Sequence, residues 1–464
     1  MAHNDTPTRP QWPGYRWPHL CDLTRALQTE PEWPQMDRWL AARFRERKAY
    51  GGKDRRFYSD RLFQLCRLAA VPVILQQGYS LSDPQNDGQE AWTADTLWQA
   101  FKAIPAVELW GWLVLLDGLD EQVPNELTDV AQRRAWLDCQ RDDPALQAAS
   151  QGWLPGWQPW LERRVAASRW SDSQARQWLA MQLTRPPIWL RALPGKGEQS
   201  ARSLHAAGLT LVDQAGDVLA LAPDSPVTKT KAWDAGWVEI QDRASQRIVE
   251  AVAAESGHRV WDVCAGGGGK AVALASRVGP VGQVLATDIR AHALQETERR
   301  AARQGFSNLH TQALDATRPE AVTELKAGVF DRVVIDAPCS GAGTWRRNPD
   351  SRWRLTEASL RALQPIQDQL LAQASASVKA GGYLVYATCS WLVEENEDRV
   401  AHFLETHPDF TPVPTSEAMA QSGRLAEGAQ ERLKALEGRF GAIQLTPHRT
   451  GTDGFYVCVM ERTA

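Results

Sequence analysis

The sequence predicts an α/β chain built on a doubly wound, mostly parallel sheet, preceded by a small α+β module and an N-terminal helical domain. Three observations carry that expectation. Of 21 tryptophans, only Trp261, Trp345, Trp353 and Trp391 lie beyond residue 240. From residue 241 onward, short apolar strands alternate with helical segments, the pattern of a sheet with helices on both faces. That region opens with a strand, a glycine run and a helix, as nucleotide-binding folds do. The chain is expected to divide into 1–180, 181–240 and 241–464.

Within the first part, apolar residues recur at helical spacing, as in Leu62, Leu65, Cys66 and Ala69. SLSDPQNDG and GWLPGWQPW punctuate the helices with turn-forming residues. Packing inside a helical bundle accounts for the tryptophans better than an exposed stacking surface does. Residues 43–67 hold nine Lys/Arg against three acids, a balance that fits a solvated helix face better than a phosphate-binding patch. In 181–240, IWLRAL, LTLVDQ and DVLALA read as strands and QSARSLHAAG as one short helix. Residues 415–440 lack strand signals and are expected to form a disordered surface loop.

Composition excludes several classes. The 464 residues are 43% hydrophobic and 23% charged, the balance of a globular protein. No apolar run approaches the roughly 18–20 residues that span a bilayer, and the polar, proline-rich start is unlike a secretory signal. A cytoplasmic protein without membrane association is expected. A net charge of −4 gives no global basic field, so a nucleic-acid partner has to be argued from local patches. Seven scattered cysteines without CxxC spacing predict free thiols and no metal site.

A cofactor site emerges from the strand ends. RVWDVC (259–264) runs into Ala265, the four glycines Gly266, Gly267, Gly268 and Gly269, and Lys270. Such a run lets the backbone approach a ligand where a Cβ would clash. The second strand, VLATDI, ends in Asp288, placed to reach the hydroxyls of a ribose. The third, LHTQALDA, carries Asp315, within reach of an adenine amino group. The fourth, VFDRVVIDAPCSG, ends in Asp336. Three successive strands ending in an acid would repel a diphosphate but suit S-adenosylmethionine, with its sulfonium and ammonium. Lys270 reads as a loop-orienting residue rather than a base.

The chemistry lies in DAPCSGAGT (336–344) and YATCSWLVEENE (386–397). Both motifs follow strands, so Cys339 and Cys389 reach the same sheet edge although 50 residues apart. Carbon 5 of a pyrimidine is not nucleophilic until a thiolate adds at carbon 6. A positioned acid near ring nitrogen 3, for which Asp336 is the candidate, would favour that addition.

DAPCSG followed by TCS and EEN resembles the RNA cytosine-5 methyltransferases of the Sun/Nol/Nop family. RRNPDSRW, GWVEIQDRASQ, DGFYVCVMER and RPPIWLR are similar to other family segments, so the likeness spans about 183–464. FRERKAYGGKDRRFYSDRLFQLCR resembles the NusB-like domain of the bacterial 16S rRNA enzyme. The resemblance implies a class I methyltransferase fold and S-adenosylmethionine as donor. It implies Cys389 as nucleophile and Cys339 as the residue that releases product. Cys264, Ala265, Gly266–Gly269, Lys270, Asp288, Asp315 and Asp336 would hold the donor.

Two segments depart from the family pattern: CAGGGGKA stands where CAAPGGKT is usual, and Leu314 replaces a glycine before Asp315. The first should loosen the loop. The implied partner is RNA, most readily ribosomal RNA, met by a monomer. Residues 343–361 hold five arginines against two acids, and Arg346 and Arg347 are the expected phosphate contacts. A transfer-RNA enzyme and a non-catalytic ribosome-assembly factor are the alternatives. The presence of both thiols and Asp336 speaks against the latter.

Overall fold

The computed structural model describes residues 16–80, 92–140, 142–323, 325 and 327–463. The proline-rich start as far as residue 15, and all but Ser80 of the SLSDPQNDG signal, lie outside the described residues. The chain folds as two compact units. Of the described residues, the first holds those up to Pro159 together with Leu179–Leu183 and Asn348–Thr356. The second holds Trp160–Trp178, Thr184–Arg347 and the chain from Glu357. These units cut across residue 180, where composition puts a boundary.

The first unit is helical. Thr93 caps helix Ala94–Ala103 through a reciprocal pairing with Thr96, and Asp143 caps Pro144–Ser150 by accepting from the Leu146 amide. Tryptophan fills its core: the rings of Trp33 and Trp98 lie 4.6 Å apart, and Trp110 donates to Thr24 from a fully buried position. The short segment Asn348–Thr356 is part of this core. Trp353 Nε1 donates to the Cys66 carbonyl at 2.6 Å, and Arg352, fully buried, donates to the carbonyls of Gly152 and Gln182. Arg354 is spent on the carbonyls of Trp33 and Pro34. The similarity of RRNPDSRW to family sequences thus has a packing reason in its second half.

The second unit carries two sheets. β1 (Ile188–Ala192), β2 (Leu211–Ala215), β3 (Val218–Leu221) and β4 (Val238–Ile240) form a small antiparallel sheet in the order β2-β3-β1-β4, with helix Gly197–Ala206 as its partner. The large sheet is built from β5 (Arg259–Asp262), β6 (Gln283–Asp288), β7 (Leu309–Ala313), β8 (Phe330–Asp336), β9 (Val378–Thr388), β10 (Phe410–Val413), β11 (Ile443–Leu445) and β12 (Phe455–Arg462). Its order is β10-β12-β9-β8-β5-β6-β7, with β11 beside β12. Strands β9, β8, β5, β6 and β7 are parallel; β12 runs against them, and β10, antiparallel to β12, runs with them. Because β5 pairs with both β6 and β8, the strand order reverses there, which opens a crevice at the carboxyl ends.

Core packing follows the two-residue period of the strands. Val260 and Val334 join one layer with Ile248 and Leu274, while Trp261, Val333 and Ile335 join the other with Leu371 and Phe403. The disordered loop expected at 415–440 is instead two short helices, Thr415–Gln421 and Ala429–Lys434. Ala418, Met419 and Leu433 enter the core, and Glu437 accepts from the Ser416 amide. No single helix among the described residues is long and apolar enough to cross a membrane.

Trp160–Trp178 is tied into the second unit by a buried ion pair. Arg164 makes two 2.7 Å bonds to Glu397 and a third, at 2.6 Å, to the Trp391 carbonyl. Removing one partner of such a pair typically costs about 3–5 kcal/mol. Arg164→Ala should therefore lower the urea-unfolding free energy by about 3 kcal/mol or more. Arg361→Ala, which breaks an exposed pair with Glu357, should leave it unchanged within error.

Candidate active site

The glycine loop joins β5 to helix Gly269–Val278 and is pinned from three sides. The Ala265 amide donates to the Thr287 carbonyl, the Gly266 amide to Asp288 at 2.9 Å, and Gln241 to the Gly269 carbonyl. Gly268 has φ +80°, and a Cβ there would fall 2.6 Å from the Thr297 side chain. Only glycine fits. The replacement of proline by glycine in this loop is thus accompanied by fixed hydrogen bonds on both flanks.

The loop frames a cavity of about 740 Å³ at the carboxyl edge of the sheet. Every residue from Cys264 to Lys270 except Gly268 lines it, as do Asp288, Asp315, Asp336 and Cys339. Asp288 is held by the Gly266 and Arg290 amides and by the Arg290 guanidinium. Burial opposes its charge, but these donors, Arg290 foremost, keep it below the usual carboxylate range. Asp315 accepts from the Thr317 hydroxyl and amide, which hold it low as well. Burial raises the Cys264 thiol well above its ordinary value, so Cys264 is a neutral wall of the cavity.

Lys270 and Asp336 form a 2.5 Å ion pair. Burial works against the Lys270 charge, yet Asp336, Asp262 and Cys389 together hold the ammonium above its usual pKa. Lys270 is thus more than a loop-orienting residue: it is a fixed positive charge between the cavity acids and a thiol.

Cys339 and Cys389 meet with their sulfurs 3.3 Å apart. Cys339 follows β8 and Cys389 follows β9, and these parallel neighbours keep register up to Asp336 and Ala387. The EEN motif fastens both loops. Glu395, fully buried, accepts from the Ser340 amide at 2.8 Å, from the Ser340 hydroxyl at 2.6 Å and from Gln367. Asn396 accepts from Thr388 and donates to the Ser390 carbonyl. The hydrogen bond with Cys389, followed by burial, raises the Cys339 thiol well above its ordinary value.

A 16S rRNA methyltransferase RsmB/F profile matches residues 249–461. The probable ribosomal RNA small subunit methyltransferase B of Bacillus subtilis (strain 168) is 30% identical over 329 residues, 69% of each chain. The ribosomal RNA small subunit methyltransferase B of Sodalis glossinidius (strain morsitans) is 31% identical over 331 residues, 69% of this chain and 70% of its own. The chain belongs to the RsmB/F methyltransferase family. The crystal structure of PH0851 is similar over 98% of this chain and all of that one, with TM-score 0.70 at 20% identity, a likeness of fold. A methyltransferase homologue from Pyrococcus horikoshii matches 66% of this chain and 99% of its own at 25% identity and TM-score 0.50. The fold is that of a class I methyltransferase, and the chain is an RNA methyltransferase.

Two residues singled out for phosphate sit differently from what their charge suggests. Arg346 is buried at 4% exposure, and Arg347 is committed to Asp242 at 2.8 Å and to Asp453. Arg347 ties β12 to the small sheet's exit instead of facing solvent. Residues not singled out from the sequence also matter. Glu395 and Asn396 were visible only as a motif, and Asp262 as a strand residue two positions before Cys264.

Asp262 is the most unusual group in the RsmB/F cavity. It is fully buried, and apart from an approach by the Ala271 amide neither carboxylate oxygen has a hydrogen-bond partner. Burial, partly offset by Lys270, pushes it up to about 7. Its folded value lies above its unfolded one, so the native state binds the extra proton. Stability is then lost as pH rises from about 4 to about 7 and is level above that. A three-unit gap corresponds to roughly 4 kcal/mol. Asp262→Asn should therefore be more stable than the parent in urea, by a margin that grows between pH 5 and pH 7 and stops growing above it.

Proposed function

We propose that the chain methylates carbon 5 of a cytosine in small-subunit ribosomal RNA, with S-adenosylmethionine as donor and Cys389 as nucleophile. The observation that carries this reading is the pair of sulfurs 3.3 Å apart, one of them lining the cavity framed by the glycine loop. The names of the curated relatives support ribosomal RNA as substrate.

The cavity suits this donor. Asp262, Asp288, Asp315 and Asp336 all line it, a set that favours a ligand with sulfonium and ammonium groups and no phosphate. The orphaned Asp262 would gain a cationic partner. Ile289, Leu314, Ile366 and Leu370 supply apolar walls for a purine. When bound, the donor supplies an activated methyl group.

The chain's own residues do the rest. Cys389 Sγ adds to carbon 6 of the cytosine, and the Lys270 ammonium favours the thiolate that attacks. Asp336 is the candidate acid near ring nitrogen 3, donating a proton to that nitrogen as the adduct forms. Carbon 5, now enamine-like, accepts the methyl group. Loss of the carbon 5 proton then breaks the sulfur–carbon 6 bond and returns Cys389 as a thiolate. Cys339 is placed to take that proton. Its thiol is held protonated first by the hydrogen bond with Cys389, and that cause disappears once Cys389 is bonded to the base. To act as the base for the step that ends the cycle, Cys339 first passes its own proton to solvent, and losing the Cys389 hydrogen bond favours that loss.

Cys339→Ala should still attack and methylate but fail to release. With labelled small-subunit ribosomal RNA, a denaturing gel is expected to show a slow RNA–protein band in Cys339→Ala. The band should be absent in Cys339→Ala/Cys389→Ala, and Cys389→Ala alone should lose methyl transfer with donor affinity kept. Normal turnover by Cys389→Ala would overturn the nucleophile assignment.

A further inference from the structure

A second cavity of about 700 Å³ lies in the methyltransferase unit, away from the donor loop. Five arginines line it: Arg243 and Arg247 from helix Arg243–Ala251, Arg424 and Arg432 from the 423–436 region, and Arg449. Asp213 is the one acid in its lining. Glu250 pairs with both Arg243 and Arg247, and Asp217 lies 3.7 Å from Arg424. Arg432 and Arg449 make no ion pair among the described residues. Past Arg424 a smaller recess of about 270 Å³ adds Arg191 and Arg277. Seven arginines against Asp213, Asp217 and Glu250 leave this surface with an excess of four positive charges.

Two lining residues carry a buried donor with no hydrogen-bond partner among the described residues: Trp189 Nε1 in the larger cavity and Arg191 Nη2 in the recess. An unpaired buried donor is costly, and both belong to β1 of the small sheet. Arginines without acids, unsatisfied N–H groups and a half-buried indole together suit a ligand with anionic oxygens and flat rings.

The cleft is also connected to the reacting thiols. Thr452 lines it, and two residues on, the Gly454 amide donates to the Gly343 carbonyl at 2.8 Å; the Gly343 amide in turn donates to the Cys389 carbonyl at 2.9 Å. On helix Arg243–Ala251, Arg243 and Arg247 line the cleft while Ser245 lines the donor cavity. One helix, about 10 Å across, separates the two.

We propose that this arginine cleft holds the sugar–phosphate backbone of single-stranded RNA beside the target nucleotide, with Trp189 as a stacking surface. The proposal rests on the reading of the chain as an RNA cytosine methyltransferase, and it puts phosphate recognition here rather than at Arg346 and Arg347. Arg432 and Arg449 are the residues to test, since neither touches the donor cavity or the thiols.

The full-length protein is compared with Arg432→Glu/Arg449→Glu and with the milder Arg432→Gln/Arg449→Gln, using a single-stranded small-subunit ribosomal RNA fragment over a salt series. Thermal melting and donor calorimetry serve as folding controls. The expected result is at least a tenfold rise in RNA Kd for the Glu pair and a smaller rise for the Gln pair. The slope of log affinity against log salt should fall by about 1.4, near 0.7 for each phosphate that is no longer neutralised. Donor affinity should stay unchanged. If both folded variants bind RNA with parental affinity and salt slope, the cleft is not the RNA site. Should binding depend on these arginines while the parent methylates no cytosine, the cleft stands and the proposed reaction falls.

Discussion

Glu395 is the constraint on which the site depends. A buried carboxylate needs hydrogen-bond donors, and this one takes them from both atoms that Ser340 offers and from Gln367. Gln367 also donates to the Pro338 carbonyl, and the Tyr386 hydroxyl donates to the Glu395 carbonyl. The loop after β8 is thereby fastened to the loop after β9. Asn396 completes the join through Thr388 and Ser390. Two cysteines that sequence separates by 50 positions are held in sulfur contact by Glu395, Asn396 and Gln367, none of which lines the cavity.

Charge in the donor cavity is arranged for function at the expense of stability. Asp262 is buried without adequate donors, and Lys270 is buried between it and Asp336. Such groups destabilise a fold unless something fills the gap. The cavity therefore carries a net excess of acids around one lysine, Asp262, Asp288, Asp315 and Asp336 against Lys270 and Arg290.

Much of this was legible in the sequence, and the reasons can be given residue by residue. Asp288 and Asp336 were readable because each is the last residue of its strand, and Asp315 because it follows the strand Leu309–Ala313 by two residues. Cys339 and Cys389 were readable because they follow parallel neighbours. Composition counts charge but not its partners: those of Arg347, Asp242 and Asp453, arrive from 105 and 106 residues away. The 415–440 helices were hidden because their apolar positions, such as Met419 and Leu433, are too few to give a period. The arginine cleft was invisible because its arginines come from 243 to 449 and lie no more than two to a local segment.

The central claim is that Glu395 positions the cysteine pair without taking part in donor binding. It is tested most directly by measuring methyl transfer and donor affinity for Glu395→Ala and Glu395→Gln. Glu395→Ala is expected to lose at least a hundredfold in kcat while donor affinity, read by calorimetry, stays within twofold. Glu395→Gln, which keeps the shape and one acceptor, should recover part of the rate. Parental kcat in a folded Glu395→Ala would contradict the claim.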